Sequence, residues 1–203
     1  MLSISWGMDM YMLVILGLTG VVISLAAGRL LLRDKMGCPY IFICVMCGTS
    51  FALIYKSYGS SPVSAVYMLL IFVLAVIALN DMKNKLIPDK LVAACFLTGL
   101  VSVWVNDKVT IASGAAGCLL CGGIIFLASL ITKGGVGLGD AKLIAALGMG
   151  LGLEGSAAVL ILSAVISGLF GLGLLIINLE NRKRTIPFAP FVLAAAIFVL
   201  TGL

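Results

Sequence analysis

Apolar residues run along this chain in long blocks, divided by short polar or glycine-rich breaks. The blocks fall at about 11–32, 40–55, 63–80, 90–105, 111–131, 141–153, 156–179 and 188–203. A straight crossing of a bilayer takes roughly 20 residues. The pattern therefore predicts an all-α, polytopic transmembrane helical bundle of about eight spans, with residues 1–203 forming a single membrane domain. The blocks at 40–55, 90–105 and 141–153 are short. They either borrow flanking residues or sit where the bilayer thins. The block 141–153 is the weakest, and without it the bundle has seven spans.

Composition points the same way. Hydrophobic residues make up 63% of the chain and charged residues 10%, with a mean hydropathy of +1.27. A soluble domain carries roughly a quarter charged residues, so lipid is the expected solvent for most of these side chains. The N-terminus, MLSISWGMDMYMLVILGL, has no basic stretch and places Asp9 before its apolar run. It reads as a retained first span rather than a cleaved signal peptide.

The net charge of +5 suggests nucleic acid until the charges are located. With the N-terminus outside, the loops after spans one, three, five and seven and their flanks hold eleven of the thirteen basic residues. Only Lys56 and Lys108 fall opposite. The positive-inside rule then predicts an N-out, C-out protein of the cell (inner or plasma) membrane. The basicity is a topology signal, and no nucleic-acid partner is expected. Arg182, Lys183 and Arg184 read as an anchor at the lipid headgroups.

Residues 111–175 are rich in small side chains, as in GAAGCLLCGG and ALGMGLGLEG. Small residues let helix backbones approach closely in a bilayer, so this half is expected to pack most tightly. Two CxxC pairs occur, Cys44/Cys47 and Cys118/Cys121, alongside Cys38 and Cys95. On spacing alone they resemble a four-thiolate zinc site. Both lie in apolar runs, where free cysteine behaves as a small hydrophobe, so neither a metal nor any other cofactor is expected. The chain has no histidine, which removes Ser-His and Cys-His catalysis.

Few polar groups are available to carry chemistry, and eight of them are acids. Asp9, Asp107 and Glu154 belong to the outer side; Asp34, Asp81, Asp89, Asp140 and Glu180 belong to the cytoplasmic side. Asp81 closes the run AVIALN, and Asp140 follows GGVGLG. Topology puts both at one depth, and ionisable groups at membrane depth are costly and usually functional. Two carboxyls held close share a proton instead of both ionising. One then acts as base towards a water while its protonated neighbour polarises a carbonyl. Gly134, Gly135, Gly137 and Gly139 are expected to give a tight, irregular backbone that a substrate strand approaches. Pro88 is expected in the first turn of the next helix. Lys142 is expected to pair with a carboxylate or with headgroups.

At these residues the chain resembles the prepilin leader peptidases, membrane aspartic proteases of the GxGD type. The matching pieces are Asp81 with Lys83 and Ile87-Pro88-Asp89, then Gly137-Leu138-Gly139-Asp140-Ala141-Lys142-Leu143, then Ile186-Pro187-Phe188-Ala189-Pro190-Phe191. They occur in the family's order, over about residues 65–203. The resemblance implies that Asp81 and Asp140 are the catalytic pair. Gly137, Gly139, Lys142, Pro88 and Asp89 are expected to shape the site or contact substrate. The implied reaction removes a short basic leader peptide from pilin or pseudopilin precursors at the cytoplasmic face. Longer members carry a cytoplasmic insert with zinc-binding CxxC pairs and also methylate the new N-terminus. Here the corresponding loop is only RDKMGCP, so zinc binding and methylation are not carried over. The chain resembles the compact, peptidase-only form.

Plainer readings stand beside these. Asp140 after glycine fits a helix N-cap, Asp81 fits a loop acid beside Lys83 and Lys85, and Asp89 beside Pro88 fits a cap. IPFAPF reads as a break before the last span. A proton-coupled transporter would use paired acids and glycine-broken helices, but predicts inverted symmetry and mid-bilayer acids. A non-catalytic assembly subunit would tolerate amides at both aspartates.

Overall fold

A computed structural model describes residues 3–32, 38–132, 135–177 and 186–202. Seven helices occupy them: α1 (Ser3–Leu32), α2 (Cys38–Tyr58), α3 (Pro62–Asn84), α4 (Asp89–Val105), α5 (Ile111–Ile131), α6 (Leu138–Ile177) and α7 (Ala189–Thr201). The described residues contain no strand. Stretches within α2, α3, α5 and α6 are long and apolar enough to cross a bilayer. Large apolar side chains such as Leu119, Ile131, Ile161 and Ile176 are exposed along the outside of the bundle, as lipid solvation requires. The protein is a helical membrane bundle.

Helix ends follow the local sequence. Ser61 accepts a hydrogen bond from the Ser64 N–H and precedes Pro62 at the start of α3. Thr110 caps α5 in the same way through the Ser113 N–H. The helices also outrun several apolar blocks. Helix α2 extends through Tyr58 to 21 residues, a full crossing without bilayer thinning. Helix α3 continues past residue 80 to Asn84, so Asp81 lies inside a helix, not in a loop.

Helix α6 contains one non-helical residue, Gly152, at φ 72°, ψ −177°. The chain turns back there. Before Gly152, helix α6 packs antiparallel to α5, with Ala145 against Gly122 and Met149 against Gly114. After it the direction reverses: Leu153 N–H bonds Ser113 Oγ at 3.1 Å, and Ser156 meets Cys121 Sγ at 3.3 Å. A straight helix would separate Asp140 from Phe170 by about 45 Å at 1.5 Å per residue. Instead Phe170 lies against Phe191, ring centroids 5.4 Å apart, at the same end of the bundle as Asp140. The blocks 141–153 and 156–179 are thus two arms joined at a glycine.

The glycine-rich half packs as its composition predicts. A Cβ on Gly148 would fall 2.4 Å from the Cys118 backbone nitrogen, and one on Gly150 would fall 2.8 Å from Gly99 Cα. The core gathers around α3, whose Leu70, Ile71, Leu74 and Ile77 are fully buried in one cluster with Leu143, Ile144 and Leu147 of α6 and Val192 and Leu193 of α7. Cys44, Cys47, Cys95 and Cys121 are buried in apolar surroundings, and Cys118 is half-buried. Among the described residues, no three His, Cys, Asp or Glu side chains gather as metal ligands.

Candidate active site

Asp81 sits three residues before the end of α3 and is only 6% exposed. A buried carboxylate needs partners. It finds one 108 residues away: the Ala189 backbone N–H donates to Asp81 Oδ2 at 3.0 Å. The first N–H groups of a helix have no partner within it. In α7 the second position is Pro190, which has no N–H, and Phe191 N–H turns back to Phe188 O at 3.0 Å. Ala189 is therefore an open donor of the first turn, and Asp81 takes it, with the Phe188 N–H beside it, where the helix dipole favours an anion.

The same residue also ends its own helix. Asp81 O accepts from the Lys85 N–H at 2.8 Å, with Lys85 in the left-handed conformation at φ 52°. Asn80 Nδ2 donates to Leu86 O at 2.7 Å and accepts from Asn84 through its Oδ1 at 2.8 Å. The turn between α3 and α4 is thus pinned directly beneath Asp81.

Asp140 lies in the first turn of α6 and is half-buried. It is not the N-cap residue. That place belongs to Gly137, whose carbonyl accepts from Asp140 N at 3.1 Å. Asp140 is three residues further on, at the position of the acidic partner in a capping box, and its Oδ2 lies beside Gly137. Asp140 and Asp81 are near enough to interact electrostatically. Residues distant in sequence, on α3, α6 and α7, thus converge at one end of the bundle.

The remaining predicted site residues divide. Gly137 lies against Asp140, where a Cβ would come within 3.0 Å of Oδ2. Gly139 lies against Ile87, where a Cβ would come within 3.2 Å of that side chain's Cβ. Gly135, Gly137 and Gly139 all keep negative φ. The irregular backbone expected of the run is present at residues 135–137, which lie outside regular structure, whereas Gly139 is already helical and serves close packing. Gly134 lies outside the described residues. Pro88 is the N-cap of α4, not part of its first turn, and makes no side-chain cap. Asp89 is the first helical residue, and its carboxylate pairs with Lys142 at 2.6 Å instead of capping. Lys142 has thus taken the carboxylate of its two expected partners. Asp34, Glu180, Lys133 and the Arg182–Arg184 run lie outside the described residues.

Two features were missed by the sequence reading. One is Asn80, a lone amide directly before Asp81 at the end of an apolar run. The other is the Ala189 N–H: IPFAPF was read as a simple break, yet it starts α7 with an N–H that the helix itself leaves unpaired.

This geometry lies inside a family match. A family model for the type IV leader peptidases matches residues 68–172, which include Asp81, Asp89, Asp140 and Lys142. The chain belongs to the type IV leader peptidase family. Among curated relatives, it is 32% identical over 133 residues to a prepilin leader peptidase/N-methyltransferase of Aeromonas salmonicida, covering 63% of this chain and 46% of that one. It is 30% identical over 176 residues to one of Pseudomonas putida, covering 84% and 61%. It is 34% identical over 130 residues to one of Bacillus subtilis, covering 63% and 51%. The chain spans about half the length of the curated relatives it matches. No solved structure matches it.

Proposed function

We propose that this protein is a membrane-embedded aspartic endopeptidase that removes the short basic leader from pilin or pseudopilin precursors, with Asp81 and Asp140 as its catalytic pair. The observation that carries the reading is the convergence of two acids from separate helices, within electrostatic reach of each other, at one end of an apolar bundle. Between them they hold one water and one proton. The ionised carboxylate takes a proton from the water as it attacks the scissile carbonyl, and the protonated one donates to the carbonyl oxygen. The backbone N–H of Ala189 orients the Asp81 carboxyl without supplying a competing cation. Removal of surrounding water strengthens each of these interactions.

In this reading the bundle crosses the membrane eight times, N-out and C-out, with the arms of α6 on either side of Gly152 counting separately. The acids then lie at the cytoplasmic edge of the cell membrane. A precursor keeps its apolar helix in lipid and presents the peptide bond at that edge. The proposal covers peptide cleavage alone and leaves out the methyl transfer named in its longer relatives.

Co-expression with candidate precursors tests this, with leader removal read by gel shift. Wild-type protein is expected to shorten the precursor, and Asp81→Asn and Asp140→Asn are expected to leave it intact while still inserting. Normal processing by either variant overturns the mechanism.

A further inference from the structure

We infer that the Asp89–Lys142 ion pair closes a clamp that sets the spacing between Asp81 and Asp140; the inference rests on the proposed cleavage, and it makes both residues positioning residues for that reaction. The clamp is the short stretch from Lys85 to Asp89. On one side it is locked to Asp81, through Lys85 N–H to Asp81 O at 2.8 Å and Asn80 Nδ2 to Leu86 O at 2.7 Å. On the other it grips the start of α6 at two points flanking Asp140. Ile87 packs on Gly139, the residue before it. Asp89 holds the Lys142 ammonium at 2.6 Å, two residues after it.

Stability does not explain the pair. Its side chains are 55% and 77% exposed, and an exposed ion pair contributes little to folding. Its position matters more. It joins the segments that carry the two acids, and a misplacement of about 1 Å in a catalytic group costs on the order of 100-fold in rate. Gly139 serves the same end, since any side chain there would push Ile87 and the clamp away from α6.

A charge swap in the full-length protein, reconstituted in liposomes with a pilin precursor, tests the inference. Asp89→Asn and Lys142→Gln are each expected to lower kcat by roughly 10- to 100-fold, with KM within about twofold. The double variant D89K/K142D restores the pair with its polarity reversed and is expected to recover kcat to within about threefold of wild type. Unchanged kcat in the single variants overturns the clamp. A loss confined to KM, or a swap no faster than the single variants, also overturns it and points to direct contact with the leader.

A second readout does not depend on cleavage. Nitroxide labels at Lys90→Cys and Leu138→Cys, with the native cysteines replaced, report the separation of the α4 and α6 starts by pulsed EPR. The distance distribution is expected to broaden in D89N and to narrow again in the swap. A distribution unmoved by D89N rejects the clamp. If wild-type protein cleaves no precursor, the proposed function fails while the EPR comparison still judges the clamp.

Discussion

Asp81 is proposed to work in two ways, as a catalytic acid and as the partner of helix α7, and two substitutions separate them. Asp81→Ala removes the acceptor from the Ala189 N–H. Both residues are buried, at 6% and 0% exposure, so the donor loses a partner that water does not readily replace. Leaving a buried donor unsatisfied costs about 1–3 kcal/mol. Asp81→Asn keeps an oxygen at the same place and loses only the charge at the helix N-terminus, about 0.3–1 kcal/mol. In a chain of this length 1 kcal/mol moves Tm by roughly 2–4 °C. D81A is therefore expected to melt roughly 2–12 °C below D81N, while both lose cleavage entirely. Thermal melts in one detergent, followed by tryptophan fluorescence, give the first comparison, and precursor cleavage gives the second. Equal melting temperatures for D81A and D81N would refute the assignment of structural weight to the Ala189 hydrogen bond.

Other outcomes follow from the same geometry. Gly152→Ala puts a Cβ 2.8 Å from Ser113 Oγ on a residue with φ near +72°, and is expected to cost at least about 1–2 kcal/mol, read as a lower Tm. Gly148→Ala drives a Cβ into the Cys118 backbone, and overpacking of about 1–3 kcal/mol is expected to loosen α5 from α6, seen as faster proteolysis near residues 111–131. Tyr67→Phe breaks the buried 2.6 Å bond from Asn106 Nδ2 to Tyr67 Oη, which is far from the acids. It is expected to lower Tm with cleavage per folded molecule unchanged. Cleavage by the wild type is expected to follow a bell-shaped pH profile, falling at high pH as the pair loses its shared proton and at low pH as both acids protonate. A rate that keeps rising with pH would contradict the shared proton.

Much of this architecture was legible in the sequence because membrane helices announce themselves by length and apolarity. The blocks marked every helix, and the glycine-rich half packs through the contacts its composition suggests, as at Gly148 and Gly150. The break at Gly152 was visible only as a weak boundary between two blocks. Glycine recurs throughout ALGMGLGLEG, and nothing in that run marks which one takes positive φ. Helix ends were less legible. The apolar signal stops at Asn80, whereas α3 continues for another turn because Asp81, capped by α7, is satisfied without solvent. The capping of Asp81 by Ala189 joins residues 108 apart, a relation that local pattern does not carry. Asp89 and Lys142 were each recognisable as polar residues near the acids. Their partnership depends on α4 and the first arm of α6 running side by side, which the packing of Gly99 on Gly150 and the bond from Ser102 Oγ to Gly150 O establish.

The most direct measurement is single-turnover cleavage of a purified pilin precursor in liposomes by wild-type protein and by Asp140→Asn. Asp140 contributes little to the core, so folding can be matched between the two by their melting temperatures. Complete leader removal is expected of the wild type and none of the folded amide variant. Cleavage by that variant at the wild-type rate would contradict the catalytic pair.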